Sequence, residues 1–494
     1  MGLEGRNTGN RRRRPAAPGV AVAYDGDMTE PVATPIEAIS AQVATVKAAF
    51  RDGVLRTIEA RRTQLKQLKR FITEEEPALL AALAEDLGKP MVEAYGAELS
   101  FVANDVDYAL RHLDGWIADT RTKVPLTFKP GSARVVQEAL GTVLIIAPWN
   151  YPVQLLLAPV IPAIAAGNTV VLKPSEVAAA TSNLLATRLP RYLDERVVTV
   201  ITGGVAETTA LLTERFDHIL YTGNGAVARR VMEAAAKHLT PVTLELGGKS
   251  PAIIAADADV EVAAKRIAWG KFINAGQTCV APDYVLVDAS VERQFLAAMV
   301  KTVGDFYGPD PSQSKDYARI VNERHHDRLS GLLDGGGYEE TVTGGQGNRS
   351  ARYFPPTVLS GVKPDAAVMQ DEIFGPILPV LTVGDLDEAI AFVNDRPKPL
   401  ALYVFTNDDA VSERVIDRTS SGGVCVNHTV LHLAVPDLPF GGVGDSGTGA
   451  YHGRAGFDTF SHAKPVLDKP ARPDPPIMYP PYKNWKTQLV KRFL

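Results

Sequence analysis

The chain has 494 residues, too many for one hydrophobic core, which predicts two large lobes. A hydrophobic fraction of 45% with 22% charged residues is that of an ordinary folded protein and excludes general disorder. The net charge of −5 gives no indication of nucleic acid or an anionic membrane as a partner. No apolar run is long enough for a transmembrane helix, so we expect no membrane span.

The N-terminal segment and the cysteines bear on the compartment in which the chain works. Four arginines at 11–14 precede only a short apolar stretch broken by proline and glycine, so we interpret residues 1–30 as a flexible tail. A targeting address, a nucleic-acid contact and a native start at Met28 are the alternatives. Cys279 and Cys425 are the only cysteines, which excludes a disulfide framework and suits a reducing, cytoplasmic location.

Hydrophobic periodicity predicts an α/β protein. Apolar residues at three- and four-residue spacing indicate helices over 36–85. From residue 142 the pattern changes to short apolar runs rich in β-branched residues, which predict buried strands. These strands are expected at 142–147, 168–173, 197–201 and 218–222. Helices are expected between and after them, at 153–166, 176–189, 206–213 and from 226. This alternation predicts a doubly wound parallel sheet of the dinucleotide-binding type.

A second alternating series predicts a second α/β lobe. Its helix is expected at 260–272, and its strands at 252–255, 284–287, 379–382, 401–406 and 423–427. Residues 123–141 carry alternating apolar side chains on both sides of a Pro130-Gly131 turn, which predicts a projecting hairpin. The segment 471–494 is rich in proline and tyrosine, and we expect it to lie over a surface.

Cys279 is a candidate nucleophile. It follows the expected helix 260–272 through Gly276, Gln277 and Thr278, which favour a polar loop over a packed core. A reactive thiolate requires partial exposure and nearby positive potential, so both are expected here. A thiolate can attack an aldehyde carbonyl, and loss of hydride from the adduct leaves a thioester that water must clear.

Two further residues could serve that chemistry. Glu245 lies between two leucines at the end of a strand-like run, where an apolar setting raises a carboxyl pKa and suits a general base. A salt bridge to Lys249 or to an arginine is the equally weighted alternative. Asn150 directly follows the first buried strand, and its amide could donate to an oxyanion there. Turn formation beside proline is the alternative for Asn150.

A cofactor site is indicated by residues that follow the next strands of the same sheet. Lys173 and Glu176 could hold the hydroxyl groups of a ribose, and Ser175 could cap a helix that begins at Glu176. Gly223 and Asn224 lead into a helix whose N-terminal amides suit a pyrophosphate. The glycine motif is incomplete on its own, because position 228 is alanine.

Together these segments resemble the aldehyde dehydrogenase superfamily over residues 36 to 465. The motifs are PWNYP at 148–152, LKPSE at 172–176, LELGGKSP at 244–251, GQTC at 276–279, EIFGP at 372–376 and PFGGVG at 439–444. Residues 233–243 (EAAAKHLTPVT) and 449–453 (GAYHG) are most similar to the class 3, fatty and aromatic aldehyde branch.

The resemblance implies a catalytic set without a metal. It makes Cys279 the nucleophile, Glu245 the base for deacylation, and Asn150 with the backbone amide of Cys279 the oxyanion hole. It implies that Lys173 and Glu176 hold the adenosine ribose, with Ser175 beside them. It also places Trp149, Gly223, Asn224, Glu372 and Phe374 along the cofactor, with Glu372 on the nicotinamide ribose.

The resemblance also bears on the choice between NAD and NADP, and two positions of this chain differ from the family pattern. Glu176 would repel a 2′-phosphate, so NAD is expected, although relatives of this branch often accept both cofactors and NADP stays possible. Gly225 and Ala228 differ from many relatives, so the resemblance implies no phosphate contacts from those two positions.

The implied architecture has a cofactor lobe, a catalytic lobe and elements that pair two subunits. We assign 31–122 and 142–244 to the NAD(P)-binding domain, 245–430 to the catalytic domain, 123–141 and 455–470 to oligomerisation, and 471–494 to a C-terminal extension. A homodimer that takes a small aldehyde is expected. A CoA-acylating dehydrogenase and a non-enzymatic protein that kept the fold are the alternative functions.

Overall fold

The computed structural model describes residues 32–493, so the tail predicted at 1–30 and the alternative start at Met28 lie outside the described residues. The helices are α1 (Ile36–Arg51), α2 (Ile58–Glu74), α3 (Glu76–Leu87), α4 (Met91–Ala94), α5 (Ser100–Ile117), α6 (Gln154–Leu157), α7 (Val160–Ala166), α8 (Ala179–Arg188), α9 (Val205–Leu211), α10 (Gly225–Ala236), α11 (Val260–Phe272), α12 (Glu292–Tyr307), α13 (Glu323–Asp334), α14 (Leu386–Asn394), α15 (Asp409–Arg418), α16 (Gly453–Thr459) and α17 (Asn484–Phe493). A π-helical turn, Tyr95–Leu99, joins α4 to α5.

The strands fall into three sheets. They are β1 (Thr120–Thr122), β2 (Ser132–Ala139), β3 (Thr142–Ile146), β4 (Thr169–Lys173), β5 (Val198–Val200), β6 (His218–Gly223), β7 (Val242–Leu246), β8 (Pro251–Ile254), β9 (Tyr284–Asp288), β10 (Glu340–Thr343), β11 (Thr357–Ser360), β12 (Ile377–Val383), β13 (Ala401–Phe405), β14 (Gly423–Val426), β15 (Gly447–Thr448) and β16 (Ser461–Asp468).

The first large sheet is the predicted doubly wound one. Its strand order is β15-β7-β6-β3-β4-β5, and every pair from β7 to β5 is parallel. All residues of β3 and β4 are buried, which explains their apolar, β-branched sequences. Because the chain runs from β3 to β4 on one side and later to β6 on the other, the direction of winding reverses between β3 and β6. Ligands of such sheets bind beyond the strand ends at that point.

The second large sheet confirms the second α/β lobe. Its order is β10-β11-β12-β9-β8-β13-β14, parallel except for the edge strand β10. Helix α11 lies against β8 and leads toward Cys279. It begins where the Asp259 side chain accepts from Val262 N, a normal N-cap.

The small third sheet corrects the predicted hairpin. Residues 126–128 form a single 3₁₀ turn where a strand was expected, and the short strand β1 precedes them. The main partner of β2 is β16, which pairs with it antiparallel along all eight residues. A hairpin is present, because β1 pairs antiparallel with β2, with Thr120 opposite Val135. Its first strand lies at 120–122, before the predicted segment, and the second partner of β2 lies more than 300 residues away, beyond the reach of a turn signal.

Two further local predictions differ from the structure. The helix expected from Glu176 begins three residues later, at Ala179, and Ser175 Oγ accepts from Val177 N at 3.3 Å within the loop that precedes it. Ser175 therefore does not cap the helix. The extension at 471–494 contains the unexpected amphipathic helix α17. Within 32–493, no helix has the length and hydropathy that a bilayer crossing requires.

The domain boundaries stay a prediction, but two strands bear on them. Glu245 lies inside β7 of the first sheet, so a boundary at 244/245 would divide a strand. The late strand β15 returns to that sheet, where Gly447 pairs with Glu245.

Asn168 is predicted to be a tertiary anchor of the first sheet. Its buried amide accepts from Gly141 N (2.9 Å) and donates to the carbonyls of Ala163 (3.1 Å) and Phe460 (2.8 Å). Asn168→Ala removes the partner of Gly141 N and of the Phe460 carbonyl, so we expect about 2–4 kcal/mol lower free energy of unfolding, read from thermal or urea unfolding. In the exposed control Asn394→Ala, where one bond to the Arg418 carbonyl is lost, the change should stay within about 0.5 kcal/mol. Equal effects of the two variants would contradict this assignment.

Candidate active site

Asn150 lies where the first sheet changes its winding direction. It follows β3, and Gly223 ends the neighbouring strand β6, so both belong to the carboxyl edge of the sheet. The Asn150 side chain is buried, and its Nδ2 donates to the carbonyl of Gln277 at 3.0 Å. Beside it, Tyr151 Oη and Thr278 Oγ1 are 2.8 Å apart. The turn after β3 is thereby joined to the two residues that immediately precede Cys279.

The segment that leads to Cys279 has a constrained backbone. Asn274, Ala275 and Gly276 have φ values of 52°, 51° and 74°, in the left-handed region. At Gly276 a Cβ would collide with the carbonyl of Gly375, so only glycine allows this close approach. The segment that leads to Cys279 is therefore packed directly against the 372–376 motif.

Residue Cys279 is half-buried, which agrees with the predicted partial exposure, but its electrostatic setting corrects the expectation of positive potential. Burial, followed by the charges of Glu372 and Glu245, raises the pKa of the thiol to about 12. The two bonds from backbone amides that oppose this shift, including that of Cys279 itself, are weaker influences. The resting thiol is therefore protonated, and its attack requires a base.

Glu245 has the setting of a base and not of a salt bridge. Its side chain is 2% exposed, and among the described residues neither carboxyl oxygen has a hydrogen-bond partner. Burial raises the pKa of this carboxyl well above its usual range. Lys249, the alternative partner, instead pairs with Asp283 at 2.5 Å and donates to the Val368 carbonyl at 2.8 Å. The salt-bridge alternative with Lys249 was wrong.

Glu372 approaches the same site from the second lobe. A Cβ on Gly247, two residues after Glu245, would collide with the Glu372 carboxylate, so the two acidic groups approach the end of β7 together. Burial and the charge of Asp283 raise the pKa of Glu372 to about 8, although an N–H bond from Gly248 lowers it. A neutral or weakly ionised carboxyl can pair with ribose hydroxyl groups.

The motifs 148–152 and 372–376 each contribute an aromatic ring to the same place. The ring of Trp149 meets that of Phe374 edge to face at 5.4 Å and lies 5.0 Å from His325. Phe374 has a φ of 47°, and Arg328 on α13 donates to its carbonyl at 3.3 Å. Trp149 and Phe374, both predicted to lie along the cofactor, are therefore brought together.

The other predicted cofactor residues lie along the same sheet edge. Lys173 is buried, with Nζ 3.6 Å from the half-exposed Glu176 carboxylate, and burial lowers its pKa. Asn224 caps α10 by accepting from Val227 N at 3.0 Å, so the N-terminus of this helix follows Gly223 directly. A cation, a carboxylate and a helix N-terminus at one strand edge fit a dinucleotide. Among the described residues, no cluster of three or more His, Cys, Asp or Glu side chains could hold a metal.

Comparison with known proteins agrees with this geometry. The model of the aldehyde dehydrogenase family matches residues 28–466. Aldehyde dehydrogenase family 3 member A2 of Mus musculus is 50% identical over 455 residues, 92% of this chain and 93% of that protein. The dimeric NADP-preferring aldehyde dehydrogenase of Rattus norvegicus is 49% identical, covering 88% and 95%. The substrate-bound AldH of Staphylococcus aureus has a TM-score of 0.90 at 45% identity, covering 92% and 99%.

The chain belongs to the aldehyde dehydrogenase family. Its reaction is the oxidation of an aldehyde with NAD(P). The family 3 relatives confirm the resemblance to the class 3 branch, and the structural match confirms the predicted α/β fold class. The non-enzymatic alternative was wrong.

Sequence reasoning missed several buried groups of this aldehyde dehydrogenase site. Lys89 and Glu98 form a buried ion pair behind Asn150, and Lys89 donates to the Asn150 carbonyl at 2.9 Å. Glu93 accepts from Asn274 N at 2.9 Å, and burial raises its pKa to about 7. Tyr451 has a buried hydroxyl whose pKa is raised by burial and by Glu245 and Cys279. A pattern of local periodicity contains no signal for such long-range contacts.

Proposed function

We propose that Cys279 is the nucleophile, Glu245 the general base and Asn150 an oxyanion donor of an aldehyde dehydrogenase that releases a free carboxylic acid. The observation that carries this assignment is the meeting of three segments. The Asn150 amide bonds to the Gln277 carbonyl, two residues before Cys279, and the unpartnered Glu245 carboxyl acts electrostatically on the same thiol.

The chemistry follows from these positions. Sγ of Cys279 attacks the aldehyde carbon while its proton passes to a base, and the carbonyl oxygen becomes an oxyanion. Asn150 has a second N–H besides the one that bonds Gln277, and this N–H donates to the oxyanion together with the Cys279 amide. NAD(P), held beside Trp149, Glu372 and Phe374, would supply the hydride acceptor, and loss of hydride from the adduct leaves a thioester on Cys279. Glu245 then takes a proton from water, the hydroxide attacks the thioester, and the acid leaves with the thiolate restored.

The cofactor residues are proposed from the strand edge described above. Lys173 and Glu176 would hold the adenosine ribose next to Ser175, while Gly223 and Asn224 would face the pyrophosphate at the start of α10. Glu372 would hold the nicotinamide ribose, with Trp149 and Phe374 beside it. We further propose a reducing, cytoplasmic location, because the reaction requires Cys279 as a free thiol.

The two cysteines provide a matched test of the nucleophile. Cys279→Ala should abolish NAD(P)H formation, whereas Cys425→Ala should keep turnover within about twofold.

Glu245→Gln should retain a first burst of NAD(P)H and then slow steady turnover by about 100-fold or more, because the thioester is no longer hydrolysed. An active Cys279→Ala protein would contradict the mechanism, and so would loss of the burst in Glu245→Gln. If acyl-CoA formed when CoA was added, the CoA-acylating alternative would be supported instead.

We propose NAD as the preferred cofactor, because the Glu176 carboxylate would face a 2′-phosphate. Glu176→Gln removes this repulsion and should raise kcat/KM for NADP relative to NAD by about tenfold. The control is Glu413→Gln, an exposed carboxylate on α15 of the other lobe, which should leave the ratio unchanged. An unchanged ratio in Glu176→Gln would show that this residue does not select the cofactor.

We propose that the enzyme is a homodimer that pairs through the small sheet. Strand β16 lies at the edge of the order β1-β2-β16 and is mostly exposed, and such edges are templates for pairing with another chain. The related rat enzyme is described as dimeric. Sedimentation velocity should give twice the mass of one chain over a wide range of concentration. A single-chain mass throughout that range would exclude the dimer.

A further inference from the structure

A buried ion pair lies directly behind the turn that carries Asn150. The side chains of Lys89 and Glu98 are fully buried and bond to each other. Lys89 Nζ also donates to the backbone carbonyl of Asn150 at 2.9 Å and lies 4.1 Å from the ring centroid of Tyr151. The ammonium group therefore contacts the peptide of the proposed oxyanion donor itself.

The second oxygen of Glu98 holds the other end of the same turn. It accepts from Val153 N at 2.8 Å and from Gln154 N at 3.3 Å, at the beginning of α6. Glu98 lies in the π-helical turn 95–99, and such turns occur frequently at functional sites. Together the two charged side chains bond to both ends of the segment 150–154.

The Asn150 peptide is also held from the nucleophile side. Its carbonyl accepts a second bond, from Asn274 Nδ2 at 2.9 Å, and the same amide donates to the Gln277 carbonyl at 3.1 Å. With two donors on one carbonyl, the peptide plane that follows Asn150 is fixed, and this constrains the backbone from which its side chain projects. The Asn150 side chain then bonds the Gln277 carbonyl, which orients the remaining N–H.

A contribution to the stability of the fold does not explain why this ion pair is buried here. A buried ion pair loses so much hydration that apolar residues of similar volume often serve the fold equally well. The bonds of this pair end on the backbone of the turn that carries Asn150. We propose that Lys89 and Glu98 are positioning residues that orient the Asn150 amide toward the oxyanion. This inference rests on the role proposed above for Asn150.

A double-mutant cycle tests this role. The main variant is Lys89→Met with Glu98→Gln, which removes both charges together and keeps an acceptor for Val153 N. We expect the rate constant of NAD(P)H formation in the first turnover to fall by about tenfold or more, with the KM for NAD changed less than about twofold. In an Asn150→Ala background the same pair of substitutions should change that rate constant less than about twofold, because the group it orients is gone.

Two controls separate positioning from folding. Lys89→Arg keeps the buried charge with a wider head group, so the fold should persist while the first-turnover rate still falls. Lys301→Met breaks an exposed pair with Asp305 on α12 and should leave the rate unchanged. Thermal unfolding is measured for every variant. Any loss of melting temperature from the Lys89 and Glu98 substitutions should be the same with Asn150 or Ala at position 150.

The outcomes distinguish this inference from the function on which it rests. If Asn150→Ala slows the first turnover but the paired Lys89 and Glu98 variant and Lys89→Arg do not, the positioning role is wrong and the oxyanion role remains. If the paired variant lowers the rate equally in both backgrounds, its effect is general and the positioning role is again wrong. If Asn150→Ala itself has no effect, the oxyanion role fails and the positioning role fails with it.

Discussion

The hydrogen bond from the Asn150 side chain to the Gln277 carbonyl joins segments that are 127 residues apart in the chain. Asn150 follows strand β3 of the first sheet, and Gln277 lies in the loop that follows helix α11 of the second lobe. Buried polar groups need partners, so this contact constrains both backbones. The left-handed run 274–276, the close approach of Gly276 to Gly375 and the bonds from Lys89 and Asn274 all surround it.

Burial, more than pairing with cations, sets the electrostatics of the site. The pKa values of Cys279, Glu245 and Glu372 are all raised because these groups have lost water. The two nearby lysines face another carboxylate, since Lys249 bonds to Asp283 and Lys271 lies 3.9 Å from the same group. A carboxyl with a raised pKa is a stronger base once it has lost its proton, and the deacylation step proposed for Glu245 would use this property.

The errors of the sequence-based interpretation share one physical origin. The hairpin at 123–141 was inferred from a turn and from alternation, which report only neighbours along the chain. Strand β2 does form a hairpin, but with β1 at 120–122, and its longer pairing is with β16, which nothing within 123–141 indicates. Ser175 looked like a helix cap, but the helix begins at Ala179, where the distant Asp86 carboxylate accepts from Ala180 N and Thr181 N. In each case a tertiary contact overrode a local preference.

By itself the sequence determined the fold class, most strand and helix positions, the family resemblance and the candidate set around Cys279, Glu245 and Asn150. Periodicity and strand-end placement are local properties, so the order of residues contains them. The tertiary structure alone decided that Glu245 has no partner while Lys249 does, and that carboxylates rather than cations face the thiol. It also revealed Lys89 and Glu98 behind Asn150. These facts depend on which distant groups share a dry interior, because hydration and charge act through space and not along the chain.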